Sequence, residues 1–324
     1  MSNDSNERSY KGMIIKGVGG LYTVLTDGCD RVLCRARGVF RHEKISPLVG
    51  DTVEIIKDDA LPAEEGEGYI IDKILSRANS LVRPALSNLT HLFVVIPSAK
   101  PKPDLLTVDK MISVAENRNI EPVIVVNKSD ISPEETARIK DIYSGAGFTC
   151  MAVSAAKGDG CDELKKYFAE VSKKGRMIAA LAGVSAAGKS TLMKQLFPGL
   201  DLKTGEVSRK TERGRHTTRH VELFPAPGYD NCFIADIPGF SLLDFAKYNF
   251  CELSELPYTF REFEDCLGKC RYTKCTHTKE EGCAVLEKLS DGRISPSRHE
   301  NYIALYNEIK SIPEWKRKKE MQDL

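Results

Sequence analysis

The sequence predicts a multidomain chain: a small all-β barrel, then an α/β domain on a mostly parallel sheet, then a small α-rich module. Three changes of pattern along the 324 residues predict it. Short β-rich segments fill the first part, strand and helix patterns alternate from about residue 90, and four cysteines crowd between Cys266 and Cys283.

Residues 12–16, 21–25, 32–37, 51–56 and 68–74 read as strands separated by turns such as Thr26-Asp27-Gly28. Five strands in that span suit a barrel of the oligonucleotide-binding type. Residues 8–45 carry eight Lys/Arg against three Asp/Glu, a local excess that favours nucleic-acid contact on the barrel. Farther on, 91–96 and 122–126 are buried-strand runs, and Leu105, Val108, Ile112 and Ala115 fall at helical spacing. Ser132-Pro133-Glu134-Glu135 reads as a capping box opening a helix. A strand at 151–154, a helix at 162–171 and a strand at 177–182 continue the alternation, and 221–224 with 232–236 form a hairpin. A last helix opens at Ser295-Pro296 and runs to about residue 310. The domain boundaries implied are 1–82, 83–250 and 251–324.

Composition narrows the function classes. Lys and Arg number 47 against 46 Asp and Glu, which argues against a uniformly basic nucleic-acid binder. The polar opening stretch lacks the apolar core of a signal peptide, and no apolar run reaches membrane-spanning length, so the expectation is a cytoplasmic chain without a membrane partner. In that compartment clustered cysteines point to a metal rather than to disulfides.

Gly183-Val184-Ser185-Ala186-Ala187-Gly188-Lys189-Ser190 fits the phosphate-binding G-x-x-x-x-G-K-[ST] pattern between a strand and the helix that Thr191 begins. Backbone N–H groups there cradle phosphates, Lys189 reaches the outer phosphates and the Ser190 hydroxyl ligates Mg²⁺. Asn127-Lys128-Ser129-Asp130 ends a buried strand. A buried Asp130 carboxylate accepts two hydrogen bonds from guanine, the Lys128 stem lies over the purine, and Asn127 ties this loop to the phosphate-binding segment. Ser154-Ala155-Ala156-Lys157 supplies backbone N–H groups to the guanine carbonyl. Asp236-Ile237-Pro238-Gly239 places Asp236 on Mg²⁺ through water and the Gly239 N–H at the γ-phosphate. Upstream, Gly214-Arg215-His216-Thr217-Thr218 lies in a polar stretch, 203–220, of the kind that ligand orders; one of its two threonines completes the Mg²⁺ shell.

The order of these motifs is unusual. The base-reading elements precede the phosphate loop, whereas an ordinary GTPase has the reverse. The same sheet forms if the usual termini are joined, here at Lys173-Lys174-Gly175, and the chain is cut between the Asp236 loop and the strand leading to Asn127. Cys270, Cys275, His277 and Cys283 offer a closed set for one structural zinc, with Cys266 competing with Cys270 on spacing.

With this permuted order, Gly214-Arg215-His216-Thr217-Thr218, Asp236-Ile237-Pro238-Gly239-Phe240 and the Cys/His set, the chain resembles the ribosome small subunit-dependent GTPase A family over essentially its whole length. The resemblance implies an N-terminal oligonucleotide-binding barrel, a circularly permuted GTPase domain and a C-terminal zinc domain. It implies binding to the small ribosomal subunit and its 16S rRNA late in maturation, with GTP hydrolysed to GDP under stimulation by the subunit. It favours Cys270 over Cys266 as a zinc ligand, supports His216 as the catalytic residue, and leaves a monomer as the default state. One departure stands out: Ala186-Ala187 occupies positions where the family has Gly-Val, and Ala pays for any positive φ. Phe240 stands where many GTPases place a water-orienting Gln, so intrinsic hydrolysis is expected to be slow. The rival reading is a non-catalytic rRNA scaffold that binds guanine nucleotide as a ligand.

Overall fold

The computed structural model describes residues 9–43, 45–58, 68–82, 84–200, 221–236 and 251–312. Strands β1 (Ser9–Val18), β2 (Leu21–Thr26), β3 (Arg31–Ala36), β4 (Thr52–Lys57) and β5 (Tyr69–Ile74) fall between the expected turns, with one short helix, α1 (Val39–His42), after β3. They run in the order β1-β2-β3-β5-β4, and β4 returns to pair with β1, so the five-stranded barrel closes. Gly12 permits the tight approach of β1 to β2: a Cβ there would lie 2.6 Å from the Leu25 carbonyl oxygen.

A second small sheet, β6 (Ser80–Leu81) with β7 (Leu86–Ser87), bridges to the α/β domain. There β8 (His91–Pro97), β9 (Glu121–Asn127), β10 (Thr149–Val153), β11 (Met177–Ala182) and β13 (Cys232–Asp236) are parallel, and β12 (Glu222–Pro225) pairs antiparallel to β13. The sequence did not reveal how barrel and sheet join. Residues 9–13 of β1 pair with β4; past a bulge between Ile14 and Lys16, Lys16 pairs with Glu222 of β12. The two parts thus share one eleven-stranded sheet, ordered β10-β9-β8-β11-β13-β12-β1-β2-β3-β5-β4.

The central strands are apolar throughout because both faces are covered. Leu92, Val94, Ile124, Val126, Ile178 and Ala180 face α2 (Leu105–Asn117) and α3 (Pro133–Gly145), in a core that runs on into the barrel. Phe93, Val95, Val123, Val125, Met177 and Ala179 face α4 (Cys161–Lys174) and α5 (Lys189–Leu196). Gly175 carries the chain from α4 straight into β11, the junction that the permuted order requires. The capping box is corrected in part: Ser132 and Pro133 do open α3, but Ser132 makes no side-chain cap. Its intended partner, Glu135, is engaged instead by Arg138 through two bonds of 2.7 and 2.6 Å.

The C-terminal module has two 3₁₀ turns (Leu256–Thr259 and Arg261–Cys266), α6 (Ala284–Ser290) and α7 (Pro296–Ser311) around Phe260, Phe263, Val285, Tyr302 and Leu305. It docks on α2 by a charged cluster that the sequence gave no reason to expect. Arg298 of α7, 1 % exposed, bonds Asp109 of α2 (2.6 Å) and Glu262 (2.7 and 3.1 Å) and lies 4.4 Å from the Phe260 ring centre. Asp109 also accepts from Tyr143 (2.9 Å) and Asn301 (2.6 Å).

Candidate nucleotide and metal sites

Four site segments leave the sheet at the carboxyl ends of its parallel strands, where α/β folds bind ligands. The phosphate-binding loop follows β11, Asp236 ends the adjacent β13, and Asn127 ends β9; the Ser154 loop follows β10. Asn127, 2 % exposed, holds these loops to one another. Its Nδ2 donates to the Ala187 carbonyl at 2.8 Å, and its Oδ1 accepts from the Ala155 N–H at 3.0 Å. A Cβ at Gly188, whose φ is +97°, would lie 2.2 Å from that Nδ2, so only glycine serves there.

The phosphate loop turns into α5 through Gly188, and Ala187 is fully buried beneath it. Lys189 donates to the carbonyls of Gly183 (2.7 Å) and Val184 (3.1 Å), and burial lowers its pKa. An ammonium so placed gains a strong partner in any phosphate entering the loop. Ser185, Ser190 and Thr191 are exposed on the loop and the first turn of α5. Ala186 adopts φ +61°, the left-handed conformation that the departure from glycine makes costly.

Two expectations for the base-reading side need correction. Asp130 is an exposed residue rather than a buried one, with its side chain 18% exposed; the chain leaves β9 through Lys128 at φ +67°, and the Ser129 N–H then donates to the Val153 carbonyl of β10 at 3.1 Å. Its carboxylate is nonetheless oriented: a hydrogen bond from Ser154, and then Lys157 at 3.3 Å, lower its pKa and keep it an acceptor. The Ala155 N–H is already committed to Asn127, which leaves the N–H of the exposed Ala156 at the surface. Lys128 is anchored through its ammonium to the Lys100 carbonyl, and its own carbonyl accepts from Ser98 at 2.9 Å.

Asp236 is partly buried, and burial followed by the like charge of Glu222 raises its pKa. A half-desolvated carboxylate beside another acid, one strand from the phosphate loop, suits a divalent cation. His216, Thr217, Thr218, Gly239 and Phe240 lie outside the described residues.

In the C-terminal module the ligand atoms of Cys270, Cys275, His277 and Cys283 all lie within 4.8 Å of one another. The Cys270 and Cys283 sulfurs are 3.9 Å apart, and each lies 3.5 Å from His277 Nδ1. A tetrahedral ion with thiolate bonds of about 2.3 Å has S···S edges near about 3.8 Å, so the donor set fits. His277 takes φ +58°, and its carbonyl lies 2.8 Å from His299 Nε2. Cys266 is buried in the module core and is outside the cluster of four. Sequence reasoning missed Glu222, Lys16, Asp109 and Arg298; their roles rest on strand register and long-range packing, which no local pattern encodes.

Comparison with known proteins agrees with this architecture. A family model described as RsgA GTPase matches residues 74–246, and one described as the RsgA N-terminal domain matches residues 11–70. A relative from Enterococcus faecalis, named small ribosomal subunit biogenesis GTPase RsgA, is 40% identical over 316 residues, covering 95% of this chain and 98% of its own. One of the same name from Moorella thermoacetica is 40% identical over 300 residues, covering 92% and 97%. The crystal structure of YjeQ from Thermotoga maritima superposes with a TM-score of 0.76 at 30% identity, covering 94% of this chain and all of that one. That of YloQ, described as a circularly permuted GTPase, gives 0.74 at 26%, covering 97% and 100%. Agreement along the full chain, in sequence and in three dimensions, makes this protein a member of the RsgA GTPase family.

Proposed function

We propose that the chain is a GTPase of small ribosomal subunit biogenesis, binding the subunit and its 16S rRNA and hydrolysing GTP to GDP when the subunit stimulates it. The observation that carries this is Asn127, which couples a guanine-reading loop to a phosphate loop through two buried hydrogen bonds. The names of the curated relatives point to the same process.

In this reading Asp130 and the Ala156 N–H select guanine, and Gly183 to Ser190 with Thr191 hold the phosphates. Ser190 and Thr218 hold Mg²⁺, with Asp236 behind a water, while Thr217 and Gly239 contact the γ-phosphate side. The bound Mg²⁺ supplies charge neutralisation on the outer phosphates. His216 orients the attacking water in place of a glutamine. One structural zinc occupies Cys270, Cys275, His277 and Cys283, whose four ligands leave no open position.

The domains run 1–82, 83–250 and 251–324, with the barrel toward rRNA; Arg31, Arg35 and Arg37 sit on its exposed surface, although Arg37 is paired with Asp72. The factor works as a cytoplasmic monomer; among the described residues no helix is long and apolar enough to cross a membrane. Nucleotide-driven movement of the zinc module carries α2 with it, since Arg298 buries its charge against Asp109.

The test is GTP turnover with and without purified small subunits, large subunits serving as control. Strong stimulation by small subunits alone is expected, and His216→Ala should lose it while retaining nucleotide binding. Binding without stimulation would overturn the enzymatic reading in favour of the non-catalytic scaffold.

A further inference from the structure

Three charged residues form a row across three strands. Lys16 of β1 stands opposite Glu222 of β12, and Glu222 stands opposite Asp236 of β13. Directly opposed residues in antiparallel pairs project from the same face, with Cβ atoms about 5 Å apart. That face is the one on which α5 packs, because Ile234, two residues before Asp236, shares a core with Leu192 and Met193 of α5. The row therefore lies on the side where Ser190 begins its helix. Lys16 closes on Glu222 at 2.8 Å, and both side chains remain partly open to solvent, 41% and 29% exposed.

We propose that Glu222 is a positioning residue for the Mg²⁺-bound nucleotide, and that barrel residue Lys16 sets how much of its negative charge reaches that site. This rests on Asp236 serving the Mg²⁺ shell. Glu222 and Asp236 are a directly opposed pair on β12 and β13, so each carboxylate lies in the field of the other. With Lys16 in place, the ammonium offsets Glu222. When an anionic strand on the barrel draws Lys16 away, the full charge of Glu222 acts beside Asp236 and strengthens cation binding. The barrel thereby reports its occupancy to the nucleotide site through a single ion pair, with no movement of the sheet.

The measurement is the Mg²⁺ concentration that half-maximally retains a fluorescent GDP analogue on the full chain. Glu222→Gln should raise that midpoint on the order of three- to tenfold, the effect of one unit charge in a half-solvated setting. Lys16→Ala should lower it, and Lys16→Arg should restore the wild-type value. In the Glu222→Gln background Lys16→Ala should shift the midpoint by less than it does alone, because the ammonium is no longer held beside the site by its partner. An unchanged midpoint in Glu222→Gln, or a Lys16→Ala shift as large in the double variant as in the single one, overturns the proposal. Asp236→Ala separates the two layers. If it leaves the midpoint unmoved, the assignment of Asp236 fails first; if it moves the midpoint and Glu222→Gln does not, the coupling alone fails. Thermal melts of each variant confirm that the exposed pair is altered in a folded chain.

Discussion

Asn127 has two partners and no slack: its amide satisfies a buried carbonyl of one loop and a buried N–H of another. Asn127→Ala leaves both unpaired, which costs about 2–6 kcal/mol at about 1–3 per orphaned group. The variant should lower the denaturation midpoint and weaken guanine nucleotide binding more than tenfold by fluorescence titration. Ala186 makes the opposite prediction. Its φ of +61° costs an L-residue roughly 1–2 kcal/mol, while glycine gives back about 0.5–1 kcal/mol in backbone entropy. Ala186→Gly should therefore stabilise the chain by about 0.5–1 kcal/mol in urea denaturation. At this scale the sequence was informative about residue type. The asparagine tie and the strained alanine were both legible because each follows from local chemistry. The exposure of Asp130 and the commitment of the Ala155 N–H were not, since they depend on how the chain leaves β9 and on which partner reaches a donor first.

The loop carrying Cys270, Cys275, His277 and Cys283 brings four potential metal ligands within 4.8 Å of one another. Burial pushes the Cys275 thiol up to about 12 and raises that of Cys283, and a metal ion bound between them would displace their protons. Cys270→Ala should lose the bound metal, one equivalent per chain by elemental analysis, and Cys266→Ala should keep it. Retention of metal by the first variant and loss by the second would reverse the ligand assignment. Strands and helices were legible for a different reason. A strand covered on both faces must be apolar along its length, and β8, β9 and β11 are. The cap on α3 was misjudged because Ser132 and Glu135 fit the motif, yet an arginine three residues beyond the glutamate competes for it.

Across the whole molecule the main uncertainty from sequence was how the parts fit together. Lys16 meets Glu222, and Arg298 meets Asp109, across 206 and 189 positions of chain, and nothing local announces either pair. Arg298→Ala strands Asp109 and Glu262 in a dry interface. Breaking a buried pair this way costs about 3–5 kcal/mol, to be read from the shift in guanidinium midpoint. The deficit should narrow with acidity. Burial already raises the Asp109 pKa, so without Arg298 folding takes up a proton, and stability recovers as pH falls toward the ordinary carboxylate value of about 4. A deficit independent of pH would show that Asp109 keeps its charge compensated by Asn301 and Tyr143 alone.

Closure of the barrel has one more consequence. An open sheet ends in two unpaired strands and can template neighbours on either side without limit. Here β4 turns back onto β1, so among the described strands the order of the large sheet has one terminal strand, the five-residue β10. Strand-to-strand association through that margin consumes it. Two copies can meet there, and a third finds nothing to extend, so this sheet has a built-in stop against growing into a fibre.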